Sequence, residues 1–89
     1  MRFEWHEAKR LKTIDERGID FALMNLCFDD PDRLVRPDKR RDYGELRFNI
    51  LGLVRGRLFH VTFTLRDETI WIISARKANP REQKLYGSR

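Results

Sequence analysis

The sequence predicts a small α+β domain: an antiparallel meander sheet, preceded by N-terminal helices and followed by a C-terminal helix. Three observations predict it. The chain has 89 residues, one domain's worth. From Arg47 onward, apolar side chains recur at every second position through three segments separated by tight turns. Before residue 30 and after residue 79 the composition turns helical and carries helix-capping residues. No repeat, low-complexity tract or linker interrupts residues 1–89, so they read as a single domain.

The elements follow in order. Phe3, Glu4 and Trp5 alternate apolar and polar, as a short first strand does. Residues 6–17 are rich in Glu, Ala, Lys, Arg and Leu, and Ala8, Leu11 and Ile14 suggest a narrow apolar seam on a helix. Gly18 supplies its stop, because glycine accepts the left-handed conformation that ends many helices. Asp20 is a candidate N-cap for a second short helix over 21–28, apolar nearly all round and therefore buried. Asp29, Asp30 and Asp32 with Pro31 close it, since proline cannot continue the hydrogen-bond ladder. Val35 begins a possible edge strand, and the run Asp38, Lys39, Arg40, Arg41, Asp42 reads as an exposed loop.

Next come the three period-two segments. Phe48, Ile50 and Val54 share one face of the first, and Arg47, Asn49, Leu51 and Leu53 share the other. Arg55-Gly56-Arg57 signals a turn. The second segment puts Phe59, Val61, Phe63 and Leu65 opposite His60, Thr62, Thr64 and Arg66. A tight turn at Asp67-Glu68 leads into a third strand over 69–75 and pairs Arg66 with Thr69, Leu65 with Ile70 and Phe63 with Ile72. In this register the apolar rows coincide, so the expected core face is Phe48, Ile50, Phe59, Val61, Phe63, Leu65, Ile70 and Ile72. Trp71 and Lys77 fall on the mixed face, whereas Ser74 and Arg76 fall at the far end of the core row. There a buried arginine would need a partner. Asn79 is a candidate N-cap for a last helix with Pro80 at its first position and Glu82 one turn in, ending near Tyr86.

Charge is unevenly spread. The chain carries 19 Lys+Arg against 14 Asp+Glu, a net charge of +5. Residues 1–32 hold five basic and eight acidic side chains, and residues 33–89 hold fourteen basic and six acidic. The longer segment is a basic body that attracts polyanions. No wholly apolar run exceeds four residues, so neither a transmembrane helix nor a signal-peptide core is expected. No basic helix carries a clean apolar stripe, which argues against a membrane surface. The lone Cys27 fits a reducing compartment, and a cytoplasmic setting is expected.

The chemistry-bearing residues are few. His6, His60 and Cys27 form no close-spaced ligand pair, and the acidic cluster at 29–32 lacks the spacing and glycine of a calcium loop. No metal site and no cofactor are expected, and the scattered glycines form no phosphate loop. Cys27, inside an apolar helix, reads as a small buried hydrophobe. What remains is a basic, hydroxyl-bearing set: Arg66, Arg76 and Lys77, with Ser74, His60 and Tyr86 nearby in the predicted fold. Such a set can hold a phosphodiester and stabilise a pentacoordinate phosphorus, while RNA supplies its own 2′-hydroxyl nucleophile. Structural roles compete at each position. Arg66 suits a turn-end ion pair with Asp67 or Glu68, His60 a solvent-facing strand site, and Arg76 a pair with Glu82.

Three stretches in this order carry a resemblance. They are Phe3-Glu4-Trp5 with Ala8-Lys9 and residues 16–21 (Glu-Arg-Gly-Ile-Asp-Phe); then Phe28-Asp29-Asp30; then residues 63–66 (Phe-Thr-Leu-Arg) with residues 72–79 (Ile-Ile-Ser-Ala-Arg-Lys-Ala-Asn), Arg81-Glu82 and Tyr86. The chain resembles the BrnT toxin family over almost its whole length. The resemblance implies a bacterial type II toxin of RelE-like fold, a metal-independent ribonuclease that inhibits translation. It also implies a BrnA-like ribbon-helix-helix antitoxin that neutralises it, with DNA contacted only through that complex. By the matched positions it implies Arg66 and Arg76 at the phosphate and transition state, Lys77 as a supporting cation, and Glu82 and Tyr86 in orientation or proton transfer. Arg47, His60 and Arg81 are the expected RNA-binding residues. Many family members have histidine where this chain has Arg17, so this chain either uses another group as base or is a weaker nuclease; His60 substitutes only if the fold brings it to the same cleft. Two other classes of function stand beside this one: a basic module, or degenerate toxin, that binds nucleic acid without cutting it, and a scaffold for an acidic protein.

Overall fold

The computed structural model describes residues 1–40 and 42–88. Its elements are β1 (Arg2–Trp5), α1 (Glu7–Arg17), a 3-10 helix (Phe21–Asp29), β2 (Leu34–Pro37), β3 (Phe48–Val54), β4 (Arg57–Arg66), β5 (Thr69–Lys77) and α2 (Pro80–Gly87). The strands form one five-stranded sheet in the order β1-β5-β4-β3-β2. The α+β class and the flanking helices agree with the sequence, but the sheet is mixed and is not a pure antiparallel meander. β2 to β5 run antiparallel, whereas β1 lies parallel to β5, with Phe3 beside Ile70 and Trp5 beside Ile72. Apolar positions 3 and 5 extend the core face beyond β5, which is what burial gains from this placement.

Both hairpins carry the conformations their turns demand. Arg55 (φ 52°) and Gly56 (φ 80°) are both left-handed between the paired Val54 and Arg57, as two-residue hairpins favour. Asp67 (φ 56°) opens the second turn, and Arg66 pairs with Thr69 as expected. The core joins Ile50, Val61 and Ile72, each at most 1% exposed, to Phe21, Met24 and Cys27 of the 3-10 helix. Burying each such aliphatic side chain is worth about 1.5–3 kcal/mol. Leu65, expected in the core, is instead 50% exposed, because it lies one residue from the strand's turn end.

The 3-10 helix begins as predicted, with the Asp20 carboxylate accepting from the Ala22 N–H (2.9 Å). It packs so closely on β3 that a Cβ on Gly52 would stand 2.7 Å from the Cys27 carbonyl oxygen. Asp30 ends this helix and ties it onward: its Oδ1 accepts from the Asp32 N–H, and its Oδ2 accepts from the Leu53 N–H (2.8 Å) and the Tyr86 hydroxyl (2.5 Å). The acidic cluster is thus a helix-end device, as expected.

α1 ends at Gly18 (φ 68°) as predicted, but its buried residue is Thr13, and Leu11 is 55% exposed. The seam of Ala8, Leu11 and Ile14 fails because α1 is held largely by polar contacts. Arg10 donates twice to Asp20 (2.7 and 3.1 Å), and Arg17 Nη1 donates to the Ala75 carbonyl (2.8 Å). In the loop expected to be exposed, Asp38 is buried, accepting from Arg40 at 2.8 and 2.9 Å; Arg41 lies outside the described residues. α2 opens with a capping box, in which Asn79 Oδ1 accepts from the Glu82 N–H and Glu82 Oε1 accepts from the Asn79 N–H.

Candidate active site on the polar sheet face

The sheet's second face carries Asn49, His60, Thr62, Thr64, Arg66 and Trp71, as strand alternation requires. A β-bulge changes what joins them. Phe63 pairs with Ile72, but Thr62 pairs with Ser74, so Ile73 is an extra residue in β5. Beyond it the parity of β5 inverts. Ala75 turns into the core at 1% exposure, and Ser74 and Arg76 move from the expected core row to the polar face, opposite Thr62 and His60. Lys77, expected on the polar face, moves to the other row at the end of the strand.

The bulge builds one compact cluster. Arg76 Nη1 and Nη2 donate to the Glu82 carboxylate at 2.7 and 2.8 Å, and His60 Nε2 lies 3.8 Å from Glu82 Oε2. The two side chains come from neighbouring strands and the carboxylate from the first turn of α2, where the capping box fixes it. Arg76 holds Glu82 well below the usual carboxylate range, at about 2, so Glu82 is an anion at neutral pH. Burial lowers the pKa of His60 and the Arg76 charge adds to this, with Glu82 opposing them. His60 is therefore a neutral imidazole at pH 7, able to accept a proton. Among the described residues the Arg76 Nε–H donates to no acceptor, and the side chain is 39% exposed, so the guanidinium is reachable by an anion.

The other expected site residues lie elsewhere. Arg66 pairs across from Thr69, six positions along β4 from His60, so about 20 Å separates its backbone from Arg76's partner. It stacks on Trp71 (4.3 Å to the ring centroid) and lies 3.8 Å from Glu45, whereas Asp67 and Glu68 were the expected partners. Arg47 shares Glu45 at 3.3 Å and stacks on Tyr43 at 4.0 Å, so Arg47 and Arg66 form a second group at the far end of the face. Lys77 and Tyr86 line a separate hollow of about 490 Å³ with Arg57 and Gln83. Arg81 lies beside Arg36 and Lys84 along α2. Sequence reasoning missed Glu45, Lys9 and Arg17 as neighbours of this face; strand parity alone reaches neither a loop carboxylate nor α1. Cys27 is as expected: burial and the nearby Asp30 push its thiol up to about 12, leaving it inert.

Among the described residues, no group of three His, Cys, Asp or Glu side chains is placed to hold a metal ion, and no helix is long and apolar enough to cross a membrane. A family model described as the ribonuclease toxin, BrnT, of type II toxin–antitoxin systems matches residues 5–82. No curated protein matches the chain. The matched span holds His60, Arg76 and Glu82 and stops short of Tyr86.

Proposed function

The chain belongs to the BrnT family of ribonuclease toxins of type II toxin–antitoxin systems, and we propose that it cuts RNA at the His60–Arg76–Glu82 cluster without a metal ion. One observation carries this reading: the bulge at Ile73 sets an arginine beside a neutral histidine on the polar face. His60 takes the proton of the RNA 2′-hydroxyl. The 2′-oxygen bonds to phosphorus, and the bond to the 5′-oxygen breaks, leaving a 2′,3′-cyclic phosphate and a 5′-hydroxyl that takes its proton from solvent. Arg76 faces the charge that builds on the phosphoryl oxygens, and Glu82 orients both partners. Arg47, Arg66 and Arg81 contact flanking RNA. Lys77 adds positive potential, and Tyr86 acts by pinning α2 to Asp30.

The finer features of the reading come from the same kinship. The chain works as one RelE-like domain in the cytoplasm. A BrnA-like ribbon-helix-helix antitoxin covers the basic face and brings DNA to the complex. The bidentate Arg76–Glu82 pair favours one other reading, a basic module that binds RNA and leaves it whole. Incubating the purified protein with end-labelled RNA in the presence of a chelator separates the two. Cleavage to cyclic-phosphate ends is expected, with Arg76→Ala and His60→Asn each about 100-fold slower or worse. Intact RNA with salt-sensitive binding would establish the second reading, and cleavage lost on chelation would refute metal independence.

A further inference from the structure

We infer that the hollow between α1 and the C-terminal half of β5 is a second phosphate subsite, which holds the RNA phosphate adjacent to the one at His60–Arg76–Glu82. This rests on reading that cluster as the cleavage site. The hollow encloses about 460 Å³, and Lys9, Lys12, Thr13, Arg17 and Ser74 line it, with Glu16 the one carboxylate among its described lining residues. Unlike Arg76, none of its three cations has a carboxylate within 4.0 Å among the described residues. The crowding is felt: burial pushes the Lys9 ammonium below its ordinary range, and the charges of Arg47, Arg17 and Lys12 push it further. A bound anion relieves that repulsion.

Position ties the hollow to the cluster. Ser74 and Arg76 are alternate residues on the same face of β5, about 7 Å apart along the strand. Arg17 is fixed between them by its bond to the Ala75 carbonyl (2.8 Å). A single nucleotide bridges that spacing, so a strand with one phosphate at Arg76 delivers the next to Ser74, Arg17 and Lys9. The ligand is a phosphodiester of single-stranded RNA, held through charge and backbone without reading a base.

The test uses a 2′-O-methyl oligoribonucleotide, which binds but offers no 2′-hydroxyl for cleavage. Its affinity is measured between 50 and 200 mM salt for the wild type, Lys9→Gln/Lys12→Gln, and Lys39→Gln as a control for charge lost from the opposite edge of the sheet. The double variant is expected to bind more weakly, with a log–log salt slope shallower by about 0.7, the share of one single-strand phosphate contact. Lys9→Arg/Lys12→Arg is expected to restore both. A double variant indistinguishable from Lys39→Gln would overturn the subsite. Wild-type cleavage of ordinary RNA, measured in parallel, keeps the two claims apart. Cleavage with an unchanged slope refutes the subsite alone, and a lowered slope without cleavage refutes the cluster as a cutting site and, with it, the adjacency claimed here.

Discussion

His60 and Glu82 are each explained by what stands beside them. A base works in its neutral form, and burial with the Arg76 charge keeps His60 neutral below its usual range. The acid limb of kcat/KM against pH is therefore expected below pH 6.5. Glu82→Gln removes a carboxylate charge that raises the His60 pKa, so that variant is expected to be slower and to move the limb to lower pH. A limb that moves upward would show that the titrating base is another group. Glu82 also links acidity to stability. Its folded pKa of about 2 is depressed from 4.5, so its contribution is complete above the unfolded value and fades as pH falls towards 2. Thermal unfolding of wild type and Glu82→Gln is expected to differ at pH 6 and to converge near pH 2.

At the scale of elements, two close fits hold the site's frame. Gly52 lets the 3-10 helix touch β3, and Gly52→Ala forces a methyl against Cys27 backbone atoms at 2.7–2.8 Å. A loss of about 1–3 kcal/mol is expected in denaturant unfolding, and an unchanged midpoint would mean the helix moves freely. Tyr86→Phe removes the bond from α2 to Asp30 and is expected to cost about 1 kcal/mol or somewhat more in the same measurement. Much of this frame was legible. The β3–β4–β5 alternation, the Asp67-Glu68 turn, the Asp20 and Asn79 caps and the Gly18 stop each follow from local residue chemistry. The bulge was not legible, because Ile73 sits in an unbroken apolar run with no glycine or proline to mark it. That one extra residue exchanged the faces of Ser74, Arg76 and Lys77, so the sequence named the arginine and misplaced its side chain. The parallel pairing of β1 was equally hidden, since it depends on how the chain returns through two helices and not on any residue in residues 2–5.

For the whole molecule, charge distribution decides what approaches. Net charge is +5, and the acidic excess lies in the first 32 residues, yet Lys9 and Arg17 project from that segment onto the basic side. A summed field of this kind steers a polyanion to the sheet before any specific contact forms. Cleavage of RNA at low substrate concentration is accordingly expected to slow steeply between 50 and 200 mM salt, and a flat profile would argue that charge plays no part in capture. An antitoxin that covers this same surface is expected to abolish RNA binding and cleavage together. Arg76, turned onto the polar face by the bulge, is expected to be the residue on which nuclease activity depends. Brief induction in bacteria of the wild type beside Arg76→Ala, with growth and RNA integrity read together, tests it most directly. Growth arrest with fragmented RNA in the wild type alone is the predicted result; equal arrest and equal fragmentation by a folded Arg76→Ala would contradict it.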